Sequence, residues 1–402
     1  MPGQRDAPTD VFLVGGVRTP IGRYGGALAA VRADDLAALV VREAVVRAGI
    51  PDTAIDEVIL GAANQAGEDN RNVARMAVLL AGLPDTIPGI TVNRLCASGM
   101  SAIAMAAQAI RAGDADIMVA GGVESMTRAP WVQAKPDRAW AKPGEAFDTS
   151  IGWRFTNPRL AARDKATFSM PETAEEVARR DGISRADADA FALQSQQRAV
   201  AAIDAGRFEA EIVAVPTRTG EVRIDEGPRR DTSLEALAAL RPVVAGGEVV
   251  TAGNSSSLND GASAIVVASA DAVRRHGLVP RARIVTATSA ALAPEIMGLG
   301  PVPATEKALR RSGIQIADIG AVELNEAFAT QSLASMRRLG LDPAIVNPDG
   351  GAIALGHPLG SSGCRIVVTL LGRMEREDAG IGLATMCVGV GQGTAMIVER
   401  VR

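Results

Sequence analysis

Hydrophobic and polar positions alternate with two different periods along the first third of the chain. Short runs rich in β-branched residues predict buried strands at 11–14, 58–60, 91–93 and 117–120. Apolar residues spaced three and four positions apart predict helices over Asp34–Ala48 and Ser98–Arg111, and Gly49 ends the first of them. This alternation of strands and helices is typical of a mostly parallel sheet covered by helices on both faces.

The second half of the chain repeats part of this pattern in the same register. AGIPDTAIDEVIL at 48–60 aligns without gaps with SGIQIADIGAVEL at 312–324. The matched pairs, each 264 positions apart, include Gly49 and Gly313, Ile55 and Ile319, Val58 and Val322, Ser98 and Ser362, Gly99 and Gly363, and Ile117 and Ile381. One register kept over about 70 residues predicts a duplicated α/β unit whose halves pack with pseudo-two-fold symmetry.

The pattern breaks down between the two halves. We predict an inserted loop domain at 126–258, an N-terminal half at 1–125 with 259–279, and a C-terminal half at 280–402. Within the insertion, a helix is predicted over Ser184–Ala205, with Ser184 as N-cap, Asp187 three residues later and Gly206 as the stop. Long excursions of this kind are usually functional.

Composition excludes several classes of protein. The 402 residues are 47% hydrophobic and 22% charged, which predicts a globular protein with a large core. A net charge of −4 and 3% aromatic residues argue against binding to nucleic acid or to anionic membranes. Apolar runs such as Ala262–Ala270 fall short of the ~20 residues of a membrane span, and the N-terminus has no signal-like segment. Three cysteines and two histidines predict a cytoplasmic protein without a disulfide framework or a zinc site.

The three cysteines lie in different contexts. Cys96 follows the strand predicted at 91–93 and precedes a helix, where free N–H groups and the helix dipole favour a thiolate nucleophile. A buried structural cysteine is the alternative. Cys387 precedes glycines spaced GxGxG, which does not fit a dinucleotide-binding GxGxxG motif. Cys364 falls on an apolar helix face and is expected in the core.

His357 lies in a glycine-rich segment, NPDGGAIALGHPLGSSG, before a helix that starts near Gly360. A phosphate-binding P-loop is excluded because His and Pro replace Lys and Ser/Thr. Since duplicated halves should face each other, Cys96 and His357 are expected to approach the pseudo-axis from opposite sides. A structural loop histidine is the alternative. His276 is expected at the surface, at a helix end.

Asn325 and Glu326 follow the strand predicted at 322–324. Asn325 is a candidate N-cap of the next helix, or a residue that orients a water or a carbonyl group. Glu326 is either an acid or a residue that favours the helix start.

Five blocks of sequence resemble the signature blocks of the thiolase family, in order and across essentially the whole chain. These blocks are NRLCASGMSA, TAGNSSSLNDGA, LNEAFA, GGAIALGHPLGSSG and CVGVGQG. The resemblance implies a five-layered αβαβα fold of two duplicated halves with an inserted loop domain. It also implies acyl-CoA substrates, coenzyme A as a cosubstrate rather than a permanently bound cofactor, and a homodimer or homotetramer.

The same resemblance implies roles for individual residues. Cys96 matches the nucleophile that carries the acyl group, His357 the base that activates it, and Cys387 the acid/base at the α-carbon. Asn325 matches the residue holding a water that forms one oxyanion hole with His357. The backbone N–H groups of Cys96 and Gly389 match the other hole. The remaining matches are Ser256 near the pantetheine of CoA, Arg229 near its adenine, Met170 in the acyl pocket and Phe328 near the catalytic face.

Other blocks resemble the subgroup that cleaves 3-oxoadipyl-CoA with CoA to succinyl-CoA and acetyl-CoA. They are QAGEDNRNVARMA at 65–77, IGWRFTNP at 151–158, SMPETAE at 169–175 and EIMGLGPVP at 295–303. Ser169 and Pro171 replace the His and Gly of acetoacetyl-CoA thiolases, and Ser257 and Val390 also depart from the commoner pattern. A carboxylate tail needs a cation, for which Arg154 is the candidate. The alternative is that Arg154 stabilises the inserted loop or an oligomer contact.

Three competing interpretations remain open at the level of sequence. Ser169 and Pro171 weigh against a general acetyl-CoA acetyltransferase acting on acetoacetyl-CoA but do not exclude it, because short substrates fit large pockets. A ketoacyl synthase would need two catalytic histidines, and His276 lies in no suitable loop. A non-catalytic, thiolase-like lipid carrier should have lost the nucleophile or the base, whereas this chain keeps both Cys96 and His357.

Overall fold

The computed structural model describes residues 10–402, which contain fourteen strands and twelve α-helices. The strands are β1 (Val11–Arg18), β2 (Gly22–Arg23), β3 (Glu57–Gly61), β4 (Gly89–Val92), β5 (Ile117–Ser125), β6 (Trp131–Gln133), β7 (Ala146–Asp148), β8 (Val215–Thr217), β9 (Gly220–Val222), β10 (Asn259–Ser269), β11 (Pro280–Ala291), β12 (Ala321–Leu324), β13 (Ile381–Val388) and β14 (Gln392–Arg400). The helices are α1 (Ala33–Ala48), α2 (Val73–Leu80), α3 (Ser98–Ala112), α4 (Pro158–Ala161), α5 (Met170–Asp181), α6 (Arg185–Asp204), α7 (Leu234–Ala238), α8 (Ala270–His276), α9 (Pro301–Ser312), α10 (Ala329–Leu339), α11 (Ala352–Leu355) and α12 (Leu359–Arg376).

Ten strands form one continuous sheet in the order β12-β13-β14-β11-β1-β10-β5-β3-β4, with β2 paired to β10. The prediction of a mostly parallel sheet is wrong, because only the pairs β3–β4, β3–β5 and β12–β13 are parallel. Ser125 at the end of β5 faces Asp260 at the start of β10. The chain therefore leaves the sheet at the end of β5 and returns to it beside that same end, so β10 must run antiparallel to β5.

Three hydrophobic clusters divide the molecule into layers. One cluster packs α1 and α2 on one face of the N-terminal strands. The second places α3 and α12 between the two halves, against residues of β5, β10, β13 and β14. The third packs α9 and α10 on the outer face of the C-terminal strands. The layers therefore follow the order αβαβα, which confirms the expected fold class.

The two central helices contact each other reciprocally. A Cβ atom added to Gly99 would lie 2.9 Å from the backbone nitrogen of Cys364. A Cβ atom added to Gly363 would lie 2.4 Å from the backbone nitrogen of Met100. Because Gly99 and Gly363 are one repeat pair and Met100 and Cys364 another, equivalent residues exchange equivalent contacts, as a two-fold axis requires.

The segment between β5 and β10 holds two small hairpins, β6–β7 and β8–β9, and helices α4 to α7. The helix predicted over Ser184–Ala205 is confirmed as α6, and Ser184 and Asp187 form its capping box. Helix α5 has an equivalent capping box, formed by Ser169 and Glu172. The domain boundaries given above stay a prediction.

One helical stretch, Leu95–Ala112, is long and apolar enough by composition to cross a membrane, although no such run was expected from the sequence. More than half of it, 56%, is buried inside the protein. It coincides with α3, which packs between the two halves, so its apolar composition is explained by its place in the core.

Candidate active site

Cys96 lies in a single 3₁₀ turn, Leu95–Ala97, between β4 and α3. Leu95 has a φ of +47°, a left-handed conformation that branched residues seldom adopt and that is common at functional turns. The Ser98 hydroxyl accepts from the Arg94 N–H at 2.9 Å and donates to the Leu95 carbonyl at 2.7 Å, which closes the turn. The half-buried Cys96 thiol faces the backbone N–H of Gly389.

The thiol of Cys96 is not activated as a thiolate in the free protein. Burial raises its pKa to about 11, although the N–H groups of Gly389 and of Cys96 itself act in the opposite direction. The N–H groups favour the thiolate, as the sequence predicts, but desolvation outweighs them. Cys96 is a thiol at neutral pH and requires a base to become a nucleophile.

His357 is buried and precedes α12. Its Nδ1 lies 2.7 Å from the hydroxyl oxygen of Ser362, and that hydroxyl donates to the Pro358 carbonyl at 2.9 Å. Because the hydroxyl proton is already used, Ser362 accepts from Nδ1–H, and the neutral imidazole keeps a lone pair on Nε2. Burial and the charge of Arg365 lower the pKa of His357 to about 3, so that Nε2 is free to accept a proton at neutral pH.

The buried side chain of Asn325 lies beside the imidazole of His357. Its Nδ2 lies 3.4 Å from Nε2 of His357, and its Oδ1 has no hydrogen-bond partner among residues 10–402. The N-cap prediction for Asn325 is wrong, because α10 begins at Ala329 with Phe328 as its N-cap. The amide instead presents an unused acceptor beside the imidazole, which suits a bound water or a polar substrate group.

Cys387 is buried at the end of β13, next to the turn at Gly389. Burial and the proximity of Cys96 raise the pKa of Cys387, which keeps it a protonated thiol. It shares a hydrophobic cluster with Phe328 and with the partly buried Met170. Met170 also flanks Gly389, since a Cβ atom there would lie 3.6 Å from its sulfur. The two cysteines, Phe328 and Met170 therefore line one region.

Two buried residues that were not selected from the sequence hold the catalytic segments in place. Asn259 Oδ1 accepts from the His357 N–H at 2.8 Å. Glu124 accepts from the backbone N–H groups of Gly360 at 2.8 Å and Ala63 at 2.9 Å. Burial raises the pKa of Glu124 to about 7. The sequence signal that could have identified them is a polar residue beside an apolar strand, namely Glu124 at the end of β5 and Asn259 at the start of β10.

Glu326 does not act at a helix start. Its buried carboxylate accepts from the Ser195 hydroxyl at 2.6 Å, from Asn347 Nδ2 at 2.9 Å and from the Ile353 N–H at 3.3 Å. The carboxylate therefore joins α6 to the glycine-rich segment that leads to His357.

The residues matched to CoA binding lie on segments that touch the catalytic loop. The backbone N–H of Ser256 donates to the Ala327 carbonyl at 2.9 Å, which places Ser256 beside Phe328. Gln196 accepts from the Arg229 N–H at 2.8 Å and donates to the Ile353 carbonyl at 3.4 Å. Arg229 also lines a groove of about 290 Å³ that includes Leu193, Val200 and Arg230.

Arg154 precedes α4 in the segment between β5 and β10. It is half-buried, and its Nη2 donates to Asn64 Oδ1 at 2.8 Å, while the Asn64 N–H donates to Glu124 at 3.2 Å. Cys364 is buried in the core as expected, and His276 ends α8 as expected. Among residues 10–402, no group of three or more His, Cys, Asp or Glu side chains could hold a metal ion.

Comparison with known proteins places the chain in a family. The family descriptions "Thiolase, N-terminal domain" and "Thiolase, C-terminal domain" match residues 11–271 and 278–400. A beta-ketoadipyl-CoA thiolase of Pseudomonas aeruginosa is 57% identical over 399 residues, covering 98% of this chain and 99% of its own. A 3-oxoadipyl-CoA/3-oxo-5,6-dehydrosuberyl-CoA thiolase of Escherichia coli is 54% identical over 400 residues, covering 98% and 100%. The crystal structure of human mitochondrial 3-ketoacyl-CoA thiolase in complex with CoA is similar with a TM-score of 0.92 at 39% identity, covering 98% of each chain. The chain belongs to the thiolase family.

Proposed function

We propose that this thiolase cleaves 3-oxoadipyl-CoA with CoA to succinyl-CoA and acetyl-CoA. The observation that carries the proposal is the pairing of the candidate residues, Asn325 with His357 and Cys387 with Cys96, in a chain more than half identical to two thiolases of this substrate. The substrates named for the Escherichia coli relative both end in a carboxylate, which favours an acyl pocket built for a charged tail.

In the first step, the Cys96 sulfur attacks the C3 ketone while His357 Nε2 takes the thiol proton. Since the thiol pKa is raised and the histidine pKa is lowered, proton transfer accompanies formation of the C–S bond instead of preceding it. The alkoxide forms on the carbon bonded to the Cys96 sulfur, where the N–H groups of Cys96 and Gly389 are placed to donate to it. The thioester oxygen, which carries the enolate charge in the next step, needs a second set of donors, and a water held by Asn325 together with His357 supplies them.

In the second step, the C2–C3 bond breaks and leaves the enolate of acetyl-CoA and a succinyl group on Cys96. The protonated Cys387 thiol donates its proton to the enolate carbon. Because burial raises the pKa of Cys387, the thiolate left behind is strongly basic. It then removes the proton from the thiol of the incoming CoA, whose sulfur attacks the thioester. Succinyl-CoA is released with the Cys96 sulfur as the leaving group, and that sulfur takes back the proton that His357 has held since the first step, which restores both cysteine thiols and the neutral imidazole.

The CoA moiety is proposed to lie along Ser256 and in the groove at Arg229. The groove joins apolar side chains such as Val200 to the guanidinium groups of Arg229 and Arg230, a combination that suits a purine and a phosphate. Met170 and Phe328 line the acyl side, near the reacting cysteines. No permanently bound cofactor is required by these steps.

Arg154 is proposed to pair with the terminal carboxylate. In the segment 126–258, it and Arg198 are the half-buried arginines without a carboxylate partner. Arg198 donates to three backbone carbonyls, whereas Arg154 makes one hydrogen bond, to Asn64. Its guanidinium therefore has donors left for a substrate carboxylate. We expect Arg154→Ala to lose its preference for 3-oxoadipyl-CoA over acetoacetyl-CoA, and Arg198→Ala to keep it. An Arg154→Ala enzyme that keeps the wild-type preference for 3-oxoadipyl-CoA would contradict this assignment.

The substrate proposal is tested by the ratio of kcat/KM for thiolysis of 3-oxoadipyl-CoA to that of acetoacetyl-CoA. A ratio well above about ten corresponds to more than ~1.4 kcal/mol of discrimination in the transition state and supports the proposal. A ratio near or below one would favour a general acetyl-CoA acetyltransferase. The departures at Ser169 and Pro171 bear on this choice, because both residues belong to the start of α5, which carries Met170.

A homodimer or homotetramer in the cytoplasm is part of the proposal. Ile90 on the edge strand β4, Leu80 on α2 and Met105 on α3 are exposed apolar side chains of the kind that a subunit interface covers. Trp131 on the hairpin β6–β7 is 77% exposed and supports a second contact. Sedimentation of the purified protein gives the number of subunits, and a stable monomer at micromolar concentration would contradict this part.

A further inference from the structure

Arg365 is a buried arginine whose guanidinium has no hydrogen-bond acceptor among residues 10–402. The other two large buried arginines are both paired. Arg18 donates to Glu211 and Asp225, and Arg373 donates to Glu323 and Glu377. Burying a cation without acceptors costs several kcal/mol of folding free energy. A side chain kept in this state calls for an explanation other than stability.

The position of Arg365 relates it to the proposed base. Ser362, which binds Nδ1 of His357, and Arg365 lie three residues apart on α12 and therefore on the same face of the helix. On the neighbouring strand, Asn325 and Glu323 are two residues apart and point to the same side, since the Asn325 N–H still continues the sheet ladder to Thr385. The pair Glu323–Arg365 therefore lies directly behind the pair Asn325–His357.

The charge of Arg365 is only partly balanced. Its nearest carboxylate oxygen, in Glu323, is 3.8 Å away, and the other oxygen of Glu323 already accepts from Arg373 at 2.8 Å. Glu211, Asp225 and Arg18 also act on Arg365, but Arg18 on β1 is itself paired with both of these carboxylates. The other ionisable groups that face the catalytic loop are Glu326 after β12, Glu124 on β5, Asp260 on β10, Cys96 before α3 and Cys387 on β13. Each of the three carboxylates among them is bonded by hydroxyl, amide or backbone N–H groups.

We propose that Arg365 is a positioning residue that keeps His357 neutral, because its incompletely paired positive charge behind the imidazole disfavours the imidazolium form. The inference rests on the proposed role of His357 as the base. The direction of the His357 pKa agrees with it, since Arg365 lowers that pKa in addition to burial. The same charge favours the enolate oxygen, which is proposed to accept from the Nε2 side of the ring.

The test uses the fact that the chain contains only two histidines, His276 and His357. With ¹⁵N-labelled histidine, the two imidazole rings of the full-length protein are resolved by NMR, and the ¹⁵N shifts report tautomer and protonation. Wild type, Arg365→Met and Arg365→Lys are compared at pH 5. Met keeps much of the length of the side chain without charge, and Lys keeps the charge.

We expect the ratio of imidazolium to imidazole at His357 to rise about tenfold in Arg365→Met and to stay within about twofold of wild type in Arg365→Lys. We also expect kcat to fall in Arg365→Met and to be largely restored in Arg365→Lys. A folded Arg365→Met protein with the wild-type ratio would overturn the proposal, and so would an Arg365→Lys protein that shifts as far as Arg365→Met.

If Arg365→Met does not fold, Glu323→Gln takes its place. Removing the carboxylate leaves Arg365 less balanced, so the imidazolium fraction at His357 must fall or stay undetectable, and a rise would overturn the proposal. The NMR readout does not depend on the substrate. A failure of the 3-oxoadipyl-CoA assignment would therefore appear only in the kinetics and leave this test intact.

Discussion

The two halves of the molecule share one backbone plan and differ at the positions that carry chemistry. Strands β3 and β12, strands β5 and β13, helices α3 and α12, and the reciprocal contacts of these two helices correspond at a constant shift of 264 residues. The residue types at the candidate active site differ between corresponding positions. The corresponding pairs are Gly61 and Asn325, Asn93 and His357, Val123 and Cys387, and Cys96 and Gly360. Each half therefore contributes different groups to a single site instead of forming two equivalent sites.

Glycines make room where the catalytic segments meet. A Cβ atom at Gly61 would lie 2.3 Å from the carbonyl carbon of Ser98 in the same half, and one at Gly360 would lie 2.3 Å from the carbonyl oxygen of Val123 in the other half. These contacts are closer than any side chain allows, so both positions require glycine. Gly99 of α3 also meets the start of α12, since a Cβ atom there would lie 2.8 Å from the carbonyl oxygen of Gly360, so the segments that carry Cys96 and His357 lie on the two sides of one contact.

The largest effect is expected when the nucleophile, which only the N-terminal half supplies, is removed. We expect Cys96→Ser to lower kcat/KM for thiolysis by about 10⁴-fold or more, because a serine hydroxyl is far less easily deprotonated than a thiol. Steady-state kinetics measures the change. Cys364→Ala is the matched control, since Cys364 is a cysteine of the central helix α12 that is buried in the core. Equal losses in both variants would mean that the assignment of Cys96 fails.

The next largest effect is expected at Asn325, whose counterpart in the other half is Gly61. Asn325→Asp keeps the volume but removes the amide donor that faces His357, and we expect kcat to fall about 10²–10³-fold. The measurement is kcat at saturating substrate, with circular dichroism to verify the fold. A loss of less than threefold would show that Asn325 does not contribute to anion stabilisation.

The glycines on the axis are tested through stability. Gly360→Ala forces a Cβ atom against the backbone of β5, and we expect it to lower the free energy of unfolding by about 1–3 kcal/mol. Gly380→Ala is the control, because no atom lies within 4 Å of a Cβ atom there. Denaturant unfolding of both variants measures the difference, and equal stabilities would contradict the close approach.

The smallest effect concerns the protonation state of Cys96. Its raised pKa, about 11, predicts that alkylation by iodoacetamide speeds up about tenfold per pH unit between pH 7 and pH 9, since only the thiolate reacts. The rate is followed by loss of activity and by the mass of the peptide containing Cys96. A plateau reached below pH 7 would mean that the free enzyme already holds a thiolate.

Local features of the fold were predictable, whereas features that depend on distant residues were not. The capping box of α6 lies within four residues, and the sequence therefore predicts Ser184 as the N-cap of this helix. The antiparallel direction of β10 depends on where a long excursion returns to the sheet, which no local pattern contains. The N-cap prediction at Asn325 failed because three further residues intervene before α10, and the tertiary contact with His357 decides its role.

The same distinction between local and distant determinants applies to the candidate active site. Motif blocks locate Cys96, His357 and Cys387 along the chain, because each block has a fixed local sequence. The net direction of the Cys96 pKa could not be predicted from the helix start, because desolvation by the surrounding fold is larger than the local effect of the N–H groups. Asn259 and Glu124 were missed since they hold the catalytic loop from other strands through backbone N–H groups.

The central claim is that both halves build one acyl-transfer site with Cys96 as its nucleophile. The most direct measurement is peptide mass spectrometry after the protein is mixed with 3-oxoadipyl-CoA in the absence of free CoA. The account predicts a succinyl group on the peptide containing Cys96, which added CoA removes as succinyl-CoA. A succinyl group on Cys387, or none on any cysteine while acetyl-CoA is released, would contradict it.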